Sequence, residues 1–529
     1  MKLRAAIIVD NLNLTKWQQI ALDNTLEKIQ IITVLNCQNT HTKKNFIKNF
    51  FYYILNMLAL KNNFTKKHRI KILPKDILNF DSTYKKNWQY LPSSIYDKIY
   101  NEKIDVVIKF GMNLLYIEKD KLFPPILSYH HGNPSKYRGR PAGFYEIING
   151  ELTNGIIVQE ISNKLDSGKI LAFSSSKIVN YSYKKTVENY YIASQYLLKK
   201  AIDNLIQKKY LEINTEGKNY KLPNNRTVIK FIILMIKNGI QKITYGIFFE
   251  KKWKVAVTDN KISLIGDEVI NSLDFTEIPI NSNYNFYADP FFSEDGSKIR
   301  LEALDKKTGL GDIIEINSDN FSKQKILMSG DHYSYPVSFR FKKKEYLMPE
   351  VASHSSQYIC YSNNNIENKY FLKGLEGKRI IDATPFYHQG YFFLFFGENT
   401  TANTQLNLWY SETPFSKFKP HPMSPVVTSP NMARMGGKPI LVSNKLIRFG
   451  QNNAGEYGES LTVLEIMKLS PETYKEKFIG TIKIDKLKGP HNLCFNSTSN
   501  KIVIDYYINQ FSFFAGIRRI KAKLKKNSK

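Results

Sequence analysis

The stretch that decides the fold of the first half of the chain is residues 128–170, which read SYHHGNPSKYRGRPAGFYEIINGELTNGIIVQEISNKLDSGKI. An apolar run leads into this stretch and delivers His130 at its end. A turn rich in glycine and arginine follows, and a loop carrying Asp166 closes the stretch. Because a histidine and a distant carboxylate are the main reactive groups here, the pattern predicts proton transfer rather than metal binding or covalent catalysis.

Strand-like and helix-like runs alternate on both sides of this stretch. The predicted strands are 4–9, 29–35, 105–110, 125–129 and 156–160, and the predicted helices are 15–22 and 186–205. Such alternation predicts an α/β domain with a mainly parallel sheet. Ligands bind beyond the carboxyl ends of the strands in such sheets, and Gly111 and His130 both lie at strand ends.

Length and composition bound the remaining possibilities. The 529 residues exceed one hydrophobic core, so we expect two domains. The net charge of +29 comes mostly from dispersed lysines, which is typical of a solvated surface, and specific nucleic-acid binding is not expected. The three cysteines lie far apart without metal-ligand spacing, so we expect no metal and a reducing compartment. The expected location is the cytoplasm, peripheral contact with the inner face of the membrane being left open.

A linker is predicted at 206–248 between the two domains. It contains a basic and strongly apolar stretch, 226–249, with Gly239 and Gly246 inside it. A connector helix is favoured because the glycines interrupt the pattern, and the alternative is an amphipathic helix on anionic lipid. The basic tail at 511–529 is interpreted equally as a solubilising terminus or as a membrane-surface contact.

A repeat begins near residue 283. Its five copies carry a proline or asparagine before an apolar strand, at spacings of 46, 49, 54 and 53 residues. The aligned positions are Pro290, Pro336, Pro385, Pro439 and Asn492. Repeats of this length with paired strands predict a five-bladed β-propeller over 249–510.

The first domain, residues 1–205, resembles the folate-dependent formyltransferase family, which includes methionyl-tRNA and nucleotide-sugar formyltransferases. The matching motifs are His130, Arg138-Gly139, Gly150-Glu151, Gly155 and Asp166-Ser167-Gly168. The resemblance implies a Rossmann-like fold, N10-formyltetrahydrofolate as formyl donor and an amine as acceptor. His130 would transfer the proton and Asp166 would orient it. Ser128 stands where the family has an asparagine that hydrogen-bonds the developing oxyanion.

The resemblance also implies where the ligands bind. The residues expected to hold the folate are Phe110, Gly111, Met112, Asn113, Asn163 and Leu165. Asn133 and Arg138 are expected to contact the acceptor substrate.

The second half is similar to the propeller domain at the N-terminus of glucosamine inositol phosphorylceramide transferases, which is distantly similar to furanosidase propellers. Asp289 and Asp382 lie at strand starts where those hydrolases place acidic residues. A platform that binds a glycan or a lipid-linked sugar is favoured over a hydrolase, with both aspartates contacting substrate.

The leading hypothesis is therefore a formyltransferase that acts on a nucleotide- or lipid-linked amino sugar in the synthesis of a surface glycan. One rival is an enzyme like methionyl-tRNA formyltransferase. The other is a glycan-binding protein with a decayed formyltransferase domain, for which Ser128 is the main argument.

Overall fold

The computed structural model describes most of the chain and divides it into two compact units. Unit 1 is Met1–Ile240 and unit 2 is Gln241–Lys529. The described residues are 2–39, 46–71, 76–118, 123–259, 265–351, 356–361, 368–496 and 499–520. The finer domain limits expected at 205, 248 and 510 stay predictions.

Unit 1 contains the α/β part of the chain. Its strands are β1 Leu3–Val9, β2 Asn13–Thr15, β3 Ile29–Cys37, β4 Lys67–Arg69, β5 Asp76–Phe80, β6 Thr83–Lys85, β7 Trp88–Tyr90, β8 Val106–Lys109, β9 Leu114–Leu115, β10 Ile126–His130, β11 Tyr137–Gly139, β12 Thr153–Glu160, β13 Lys169–Lys177 and β14 Lys218–Tyr220. Its helices are α1 Lys16–Asp23, α2 Phe46–Leu60, α3 Ser93–Asn101, α4 Phe144–Ile148, α5 Tyr183–Ser194 and α6 Leu197–Ile206. Helix α7, Asn225–Phe248, begins in unit 1 and continues past residue 240, and a 3-10 turn spans Asn63–Thr65.

The main sheet of unit 1 has seven strands among the described residues, in the order β13-β12-β10-β8-β1-β3-β5. The pairs from β10 through β8, β1 and β3 to β5 are parallel, while β12 and β13 are antiparallel. The strands at the centre are apolar runs buried on both faces, as expected where helices cover a parallel sheet. The prediction of an α/β first part with a mainly parallel sheet is confirmed.

Two helix predictions need correction. The single helix expected at 186–205 is two helices, α5 and α6, because the chain leaves the helical path between Ser194 and Leu197. The interruption expected at Gly239 and Gly246 is wrong, since α7 runs through both. An isolated glycine costs a helix only about 1 kcal/mol, and the long side chains around these two glycines favour the helix.

Beyond the end of α7, the regular elements of unit 2 are strands as far as residue 511, and residues 515–520 are helical. Its strands are β15 Phe249–Thr258, β16 Glu268–Ile270, β17 Phe275–Glu277, β18 Tyr284–Phe292, β19 Lys298–Asp305, β20 Gly311–Asn317, β21 Lys325–Met328, β22 Tyr333–Phe341, β23 Lys344–Val351, β24 Tyr358–Tyr361, β25 Tyr370–Phe371, β26 Ile380–His388, β27 Tyr391–Glu398, β28 Gln405–Ser411, β29 Lys419–Pro420, β30 Val427–Thr428, β31 Ile440–Val442, β32 Lys445–Gln451, β33 Leu461–Leu469, β34 Tyr474–Ile484, β35 Leu493–Asn496 and β36 Lys501–Phe511.

These strands form five mainly antiparallel sheets in the described part of unit 2. The five repeats of the sequence correspond to the strand pairs β18–β19, β22–β23, β26–β27, β31–β32 and β35–β36. The first and last strands of the unit, β15 and β36, pair over ten residues from Phe249↔Phe511 to Thr258↔Ile502. The prediction of an all-β second part is confirmed.

The end of the chain packs on unit 2 as far as residue 520. The ring of Phe511 stacks on Phe248 with centroids 6.0 Å apart, and Arg518 Nε lies 2.7 Å from Glu250 Oε1. Residues 521–529, the most basic part of the predicted tail, lie outside the described residues. No described helix combines the length and apolar character needed to cross a membrane.

Candidate functional site

The carboxyl ends of β8 and β10 open on a cavity of about 130 Å³ in unit 1. Its polar lining comes from three neighbouring strands and the loop after β12. The lining residues are Trp88, Lys109, Asn113, Leu114, Leu115, Ser128, Tyr129, Gln159, Ile161, Ser162, Lys164, Leu165 and Asp166. The cavity therefore lies where ligands bind in open parallel sheets.

Strand register creates the floor of this cavity. Ser128 of β10 pairs with Lys109 of β8 on one side and with Gln159 of β12 on the other. Residues paired across neighbouring strands face the same side of a sheet, so an ammonium, a hydroxyl and an amide stand in one row. Gln159 Oε1 also accepts a hydrogen bond from Gly168 N at 2.9 Å, which fixes the loop that carries Asp166.

His130 and Asp166 lie together beside this row. His130 Nδ1 is 3.4 Å from Asp166 Oδ1, and His130 Nε2 is 3.0 Å from the carbonyl oxygen of Tyr137. Asp166 Oδ2 accepts from Gly139 N at 2.8 Å. Asp166 lines the cavity, so this carboxylate links the buried His130 ring to the space where a ligand would bind.

The backbone holds this pair under constraint. Asp166 has φ +45°, a left-handed conformation that non-glycine residues seldom adopt and that is concentrated at functional sites. Gly132 lies against the ring of His130, and a Cβ placed there would be 2.6 Å from His130 Nε2. The glycine directly after the two histidines thus leaves room for the imidazole of His130.

Lys109 is the charged group that the sequence analysis missed. Burial lowers the pKa of Lys109 to about 8, while the charges of Asp10 and Asp166 act in the opposite direction. Lys109 is therefore still largely cationic near neutral pH. The signal in the sequence was a lysine closing the otherwise apolar strand run DVVIKF. Gln159 and Trp88 were missed as well, because neither belongs to a recognisable motif.

The expected folate residues separate into two groups. Asn113 and Leu165 line the cavity. Asn163 instead joins two loops, accepting from Ile117 N at 2.8 Å and donating to Ile117 O at 2.9 Å. Met112 is buried with φ +57°, and Gly111 lies against the backbone of Asp10.

Phe110 lies away from the cavity lining. Its ring stacks on Tyr129 with centroids 6.2 Å apart and meets Trp17 edge-on at 6.1 Å. His131 belongs to the same aromatic cluster, where burial lowers its pKa to about 3. His131 is therefore neutral and structural at physiological pH.

The two residues expected to contact the acceptor in unit 1 are engaged within the unit. Asn133 Oδ1 accepts from Ser135 N and Ser135 Oγ at 3.1 and 2.8 Å, which closes a local turn. Arg138 Nε donates to Gly217 O at 2.6 Å, and Arg138 Nη1 donates to Ser167 Oγ at 3.1 Å. Arg138 thus holds the loop next to Asp166.

Unit 2 brings a second set of charged groups together. Asp289, Tyr335 and Asp382 occupy equivalent positions in β18, β22 and β26, each beside a shift in strand register and each with φ between +46° and +50°. Asp289 N donates to Asp505 Oδ2 and Asp382 N donates to Glu350 Oε2, both at 2.9 Å. A carboxylate on the second strand of one pair, Asp505 of β36 or Glu350 of β23, therefore accepts a hydrogen bond from the backbone of a neighbouring sheet.

His491 connects two of these carboxylates. Its Nδ1 lies 2.7 Å from Asp505 Oδ2 and its Nε2 lies 3.2 Å from Asp289 Oδ1. Burial alone would lower the pKa of His491, but Asp505 and Asp289 outweigh it and raise the pKa to about 10. The ligand atoms of these three residues lie within 4.8 Å of one another, a spacing that a metal ion would also need. The protonated imidazole of His491 lies between the two carboxylates and neutralises their negative charge, as a metal ion would.

Asp382 has its own cationic partner. Arg434 Nη2 lies 3.2 Å from Asp382 Oδ1, and Gln451 Nε2 donates to Asp382 Oδ2 at 3.0 Å. Burial, with the charge of Asp382 adding to it, raises the pKa of Glu350 to about 8. Burial and the charge of Asp289 raise the pKa of Glu302 as well. Asp289 and Asp382, the aspartates expected to contact substrate, thus belong to a buried charge network.

Unit 2 is similar to proteins of known name. The family model for the N-terminal part of glucosamine inositolphosphorylceramide transferase 1 matches residues 251–498. The transferase of that name from Arabidopsis thaliana is 30% identical over 226 residues, which are 40% of this chain and 29% of that protein. The chain therefore spans less than a third of the length of the curated relatives it matches.

Two further similarities concern shorter or more distant matches. Bifunctional polymyxin resistance protein ArnA of Wigglesworthia glossinidia brevipalpis is 29% identical over 152 residues, or 28% of this chain and 21% of that protein. The structure of glycinamide ribonucleotide transformylase 1 from Symbiobacterium toebii aligns with 42% of this chain and 94% of its own, at a TM-score of 0.27 and 14% identity. A TM-score of this size carries no argument about activity.

Proposed function

We propose that unit 1 transfers a formyl group from N10-formyltetrahydrofolate to the amine of a nucleotide- or lipid-linked amino sugar. The observation that carries the proposal is the cavity in which Lys109, Ser128 and Asp166 meet, with His130 bound behind Asp166. The formyltransferase motifs of the sequence include His130 and Asp166, and Ser128 stands where that family has an asparagine. The relatives of unit 2 are named glucosamine inositolphosphorylceramide transferase 1, and this name supports a sugar or lipid-linked acceptor.

The cavity suits one end of the donor. Its roughly 130 Å³ is well below the about 300–1,000 Å³ of pockets that enclose a whole drug-sized ligand. Trp88, Leu115 and Leu165 supply flat and apolar walls, and Asn113 and Gln159 supply amide groups for a polar ring. These residues would hold the ring system of the folate, while the rest of the molecule extends outside.

The reaction requires one bond to form and one to break at the formyl carbon. The acceptor nitrogen bonds to that carbon, the bond from carbon to N10 of the folate breaks, and a proton passes from the acceptor amine to N10. Asp166 and His130 would carry that proton. The Lys109 ammonium and the Ser128 hydroxyl face the same space and would stabilise the oxygen that becomes negative.

The second unit would bind the acceptor's sugar or its carrier. We propose that its five sheets are the blades of a closed propeller, since β15 and β36 pair along ten residues. A ring of blades would set Asp289, Tyr335 and Asp382 around a shared centre.

A non-catalytic glycan-binding protein is the second candidate. One observation favours it: His130 has an acceptor at each ring nitrogen, Asp166 on one side and Tyr137 O on the other. A proton carrier needs one of these contacts to open when substrate binds.

Incubating the full chain with N10-formyltetrahydrofolate and a panel of nucleotide-linked amino sugars tests the two candidates. Formation of tetrahydrofolate together with a formylated sugar, identified by mass spectrometry, is the expected result. Binding of sugar without binding of a folate analogue in calorimetry would support the glycan-binding candidate and contradict formyl transfer.

A further inference from the structure

We infer that helices α2 and α7 of unit 1 form a face that docks on an anionic lipid bilayer. The side chains of this α2–α7 face are large, apolar and strongly exposed. They are Ile47, Phe50, Ile54, Met57 and Leu58 on α2, and Ile229, Ile233, Ile236 and Ile240 on α7. The inference does not depend on formyl transfer, and it is tested by a separate measurement.

The isoleucines of α7 recur at helical spacing on the side of the helix that faces away from the core of unit 1. Ile229, Ile233, Ile236 and Ile240 recur at intervals of three and four residues and are 46–61% exposed. Val228 and Phe231 of the same helix are fully buried against unit 1. The helix is therefore apolar on two sides, and the protein covers one of them.

Helix α2 has the same character. Tyr52 and Ala59 join the core of unit 1, whereas Ile47, Phe50 and Leu58 are 89%, 51% and 60% exposed. A monomeric protein in water seldom exposes so many large apolar side chains close together. A surface of this kind marks a site that a membrane or another molecule covers.

The two helices are joined near their starts, where both pack on the ring of Phe144. Phe231 of α7 stacks on Phe144 with centroids 4.2 Å apart, and Tyr52 of α2 meets Phe144 edge-on at 6.5 Å. Asn225, the first residue of α7, accepts from Phe51 N at 3.1 Å and donates to Ile47 O at 2.8 Å. The beginnings of α2 and α7 are thus hydrogen-bonded together.

The charge around this face identifies the partner. Residues 28–75, which include α2, contain no Asp or Glu, and the same holds for residues 217–249, which include α7. Lys48 and Lys61 accompany the apolar side chains of α2, and Arg226, Lys230 and Lys237 accompany those of α7. An apolar face whose two helices carry cations and no carboxylate is the pattern that binds a bilayer carrying negative headgroups.

A bilayer also fits the chemistry of the individual side chains. Isoleucine and phenylalanine enter the acyl boundary, and lysine keeps its ammonium at the headgroups while its methylene stem stays in the apolar layer. A second copy of this chain would bring the same positive charges against themselves. Charge complementarity therefore selects anionic lipid over self-association.

Sedimentation of the full chain with vesicles tests the inference. We expect binding to vesicles of phosphatidylcholine with phosphatidylglycerol, weak binding to phosphatidylcholine alone, and loss of binding as salt is raised. The double variant Ile233→Glu and Ile236→Glu should weaken binding at least tenfold, and Phe50→Glu should weaken it through α2. Leu152→Glu is the matched control, because Leu152 is an exposed leucine, 53% accessible, outside both helices.

Three results would overturn the inference. In the first, the double variant Ile233→Glu and Ile236→Glu binds anionic vesicles as tightly as the unmodified chain does. Another is equal binding to neutral and anionic vesicles. The third is a dimer in solution that the double variant converts to a monomer, which would assign the face to a second copy. Circular dichroism of each variant excludes unfolding as the cause of lost binding.

Discussion

Replacing Lys109 by methionine should weaken formyl transfer and strengthen folding in the same protein. Lys109 lines the cavity beside Ser128, and its ammonium would stabilise the oxygen that becomes negative in the transition state. Methionine has a similar length and no charge. Loss of one such donor lowers the rate by about 100–1,000-fold. A structural lysine on the surface would show neither effect.

The gain in stability follows from the pKa of Lys109. Burial lowers this pKa from 10.5 to about 8, so the unfolded chain binds the proton more tightly than the folded protein between these two pH values. The free energy of unfolding therefore rises with pH across that window, and the penalty is complete below pH 8. The shift corresponds to about 3 kcal/mol, which Lys109→Met should recover at pH 7.

Two assays on the same pair of proteins test this reasoning. Urea unfolding at pH 7 should show a higher midpoint for Lys109→Met, and the difference should shrink as the pH rises toward 10.5. The transfer rate of the unmodified protein should fall as the pH passes about 8, where the ammonium is lost, and the variant should lack this fall. A variant that is less stable at pH 7, or that keeps the full transfer rate, would refute the assignment of Lys109.

Three further variants test other parts of the structure. Ser128→Asn should raise the rate of transfer by up to about 100-fold, measured as kcat, because an amide reaches further than a hydroxyl to donate to the oxyanion. Phe231→Ala should lower the free energy of unfolding by about 3–5 kcal/mol in urea, since Phe231 is fully buried. The imidazole of His491 contributes stability that is complete below pH 6.5 and lost as the pH rises through about 10, because Asp505 and Asp289 raise its pKa. His491→Gln should therefore lower the free energy of unfolding at pH 7 more than at pH 10.5. An equal difference between protein and variant at the two pH values would show that this is wrong.

Local sequence patterns predicted five of the seven described strands of the main sheet of unit 1, namely β1, β3, β8, β10 and β12. Apolar runs marked β1, β3, β8 and β10 to within two residues at each end, because buried parallel strands are continuously apolar. Thr15 was expected to begin α1, and it caps that helix through a reciprocal contact with Gln18. In unit 2 the spacing of repeats located the strand pairs because each sheet reuses the same hairpin.

The composition of the cavity could not be predicted in the same way. The row of Lys109, Ser128 and Gln159 arises from pairing between strands that are distant in the chain, and no local pattern encodes that register. Phe110 was expected beside Asn113 in the folate pocket because the family resemblance implies a pocket formed by this loop. Successive side chains of a strand point to opposite faces, so the residue after Lys109 joins the aromatic cluster instead.

For a related reason, a lipid-facing helix at 226–249 was predicted only as the alternative to a connector helix. Its pattern of apolar residues covers two sides of the helix, and the sequence alone does not say which side the protein buries. The buried Phe231 resolves that choice, since its ring stacks on Phe144. The glycines at 239 and 246 suggested a break because each lowers helix stability. The neighbouring residues that favour a helix offset this loss, and α7 continues through both positions.

The central claim is that Asp166 and His130 serve formyl transfer, and a single-turnover measurement tests it most directly. Excess protein is mixed with N10-formyltetrahydrofolate and an amino sugar identified from the panel, and formylated sugar is quantified over time. We expect product with the unmodified chain and with Asp97→Asn, which changes an exposed carboxylate on α3, and a large loss with Asp166→Asn and with His130→Ala. Product formation at an unchanged rate in both site variants, or no product from any amino sugar with folded unmodified protein, would contradict the claim.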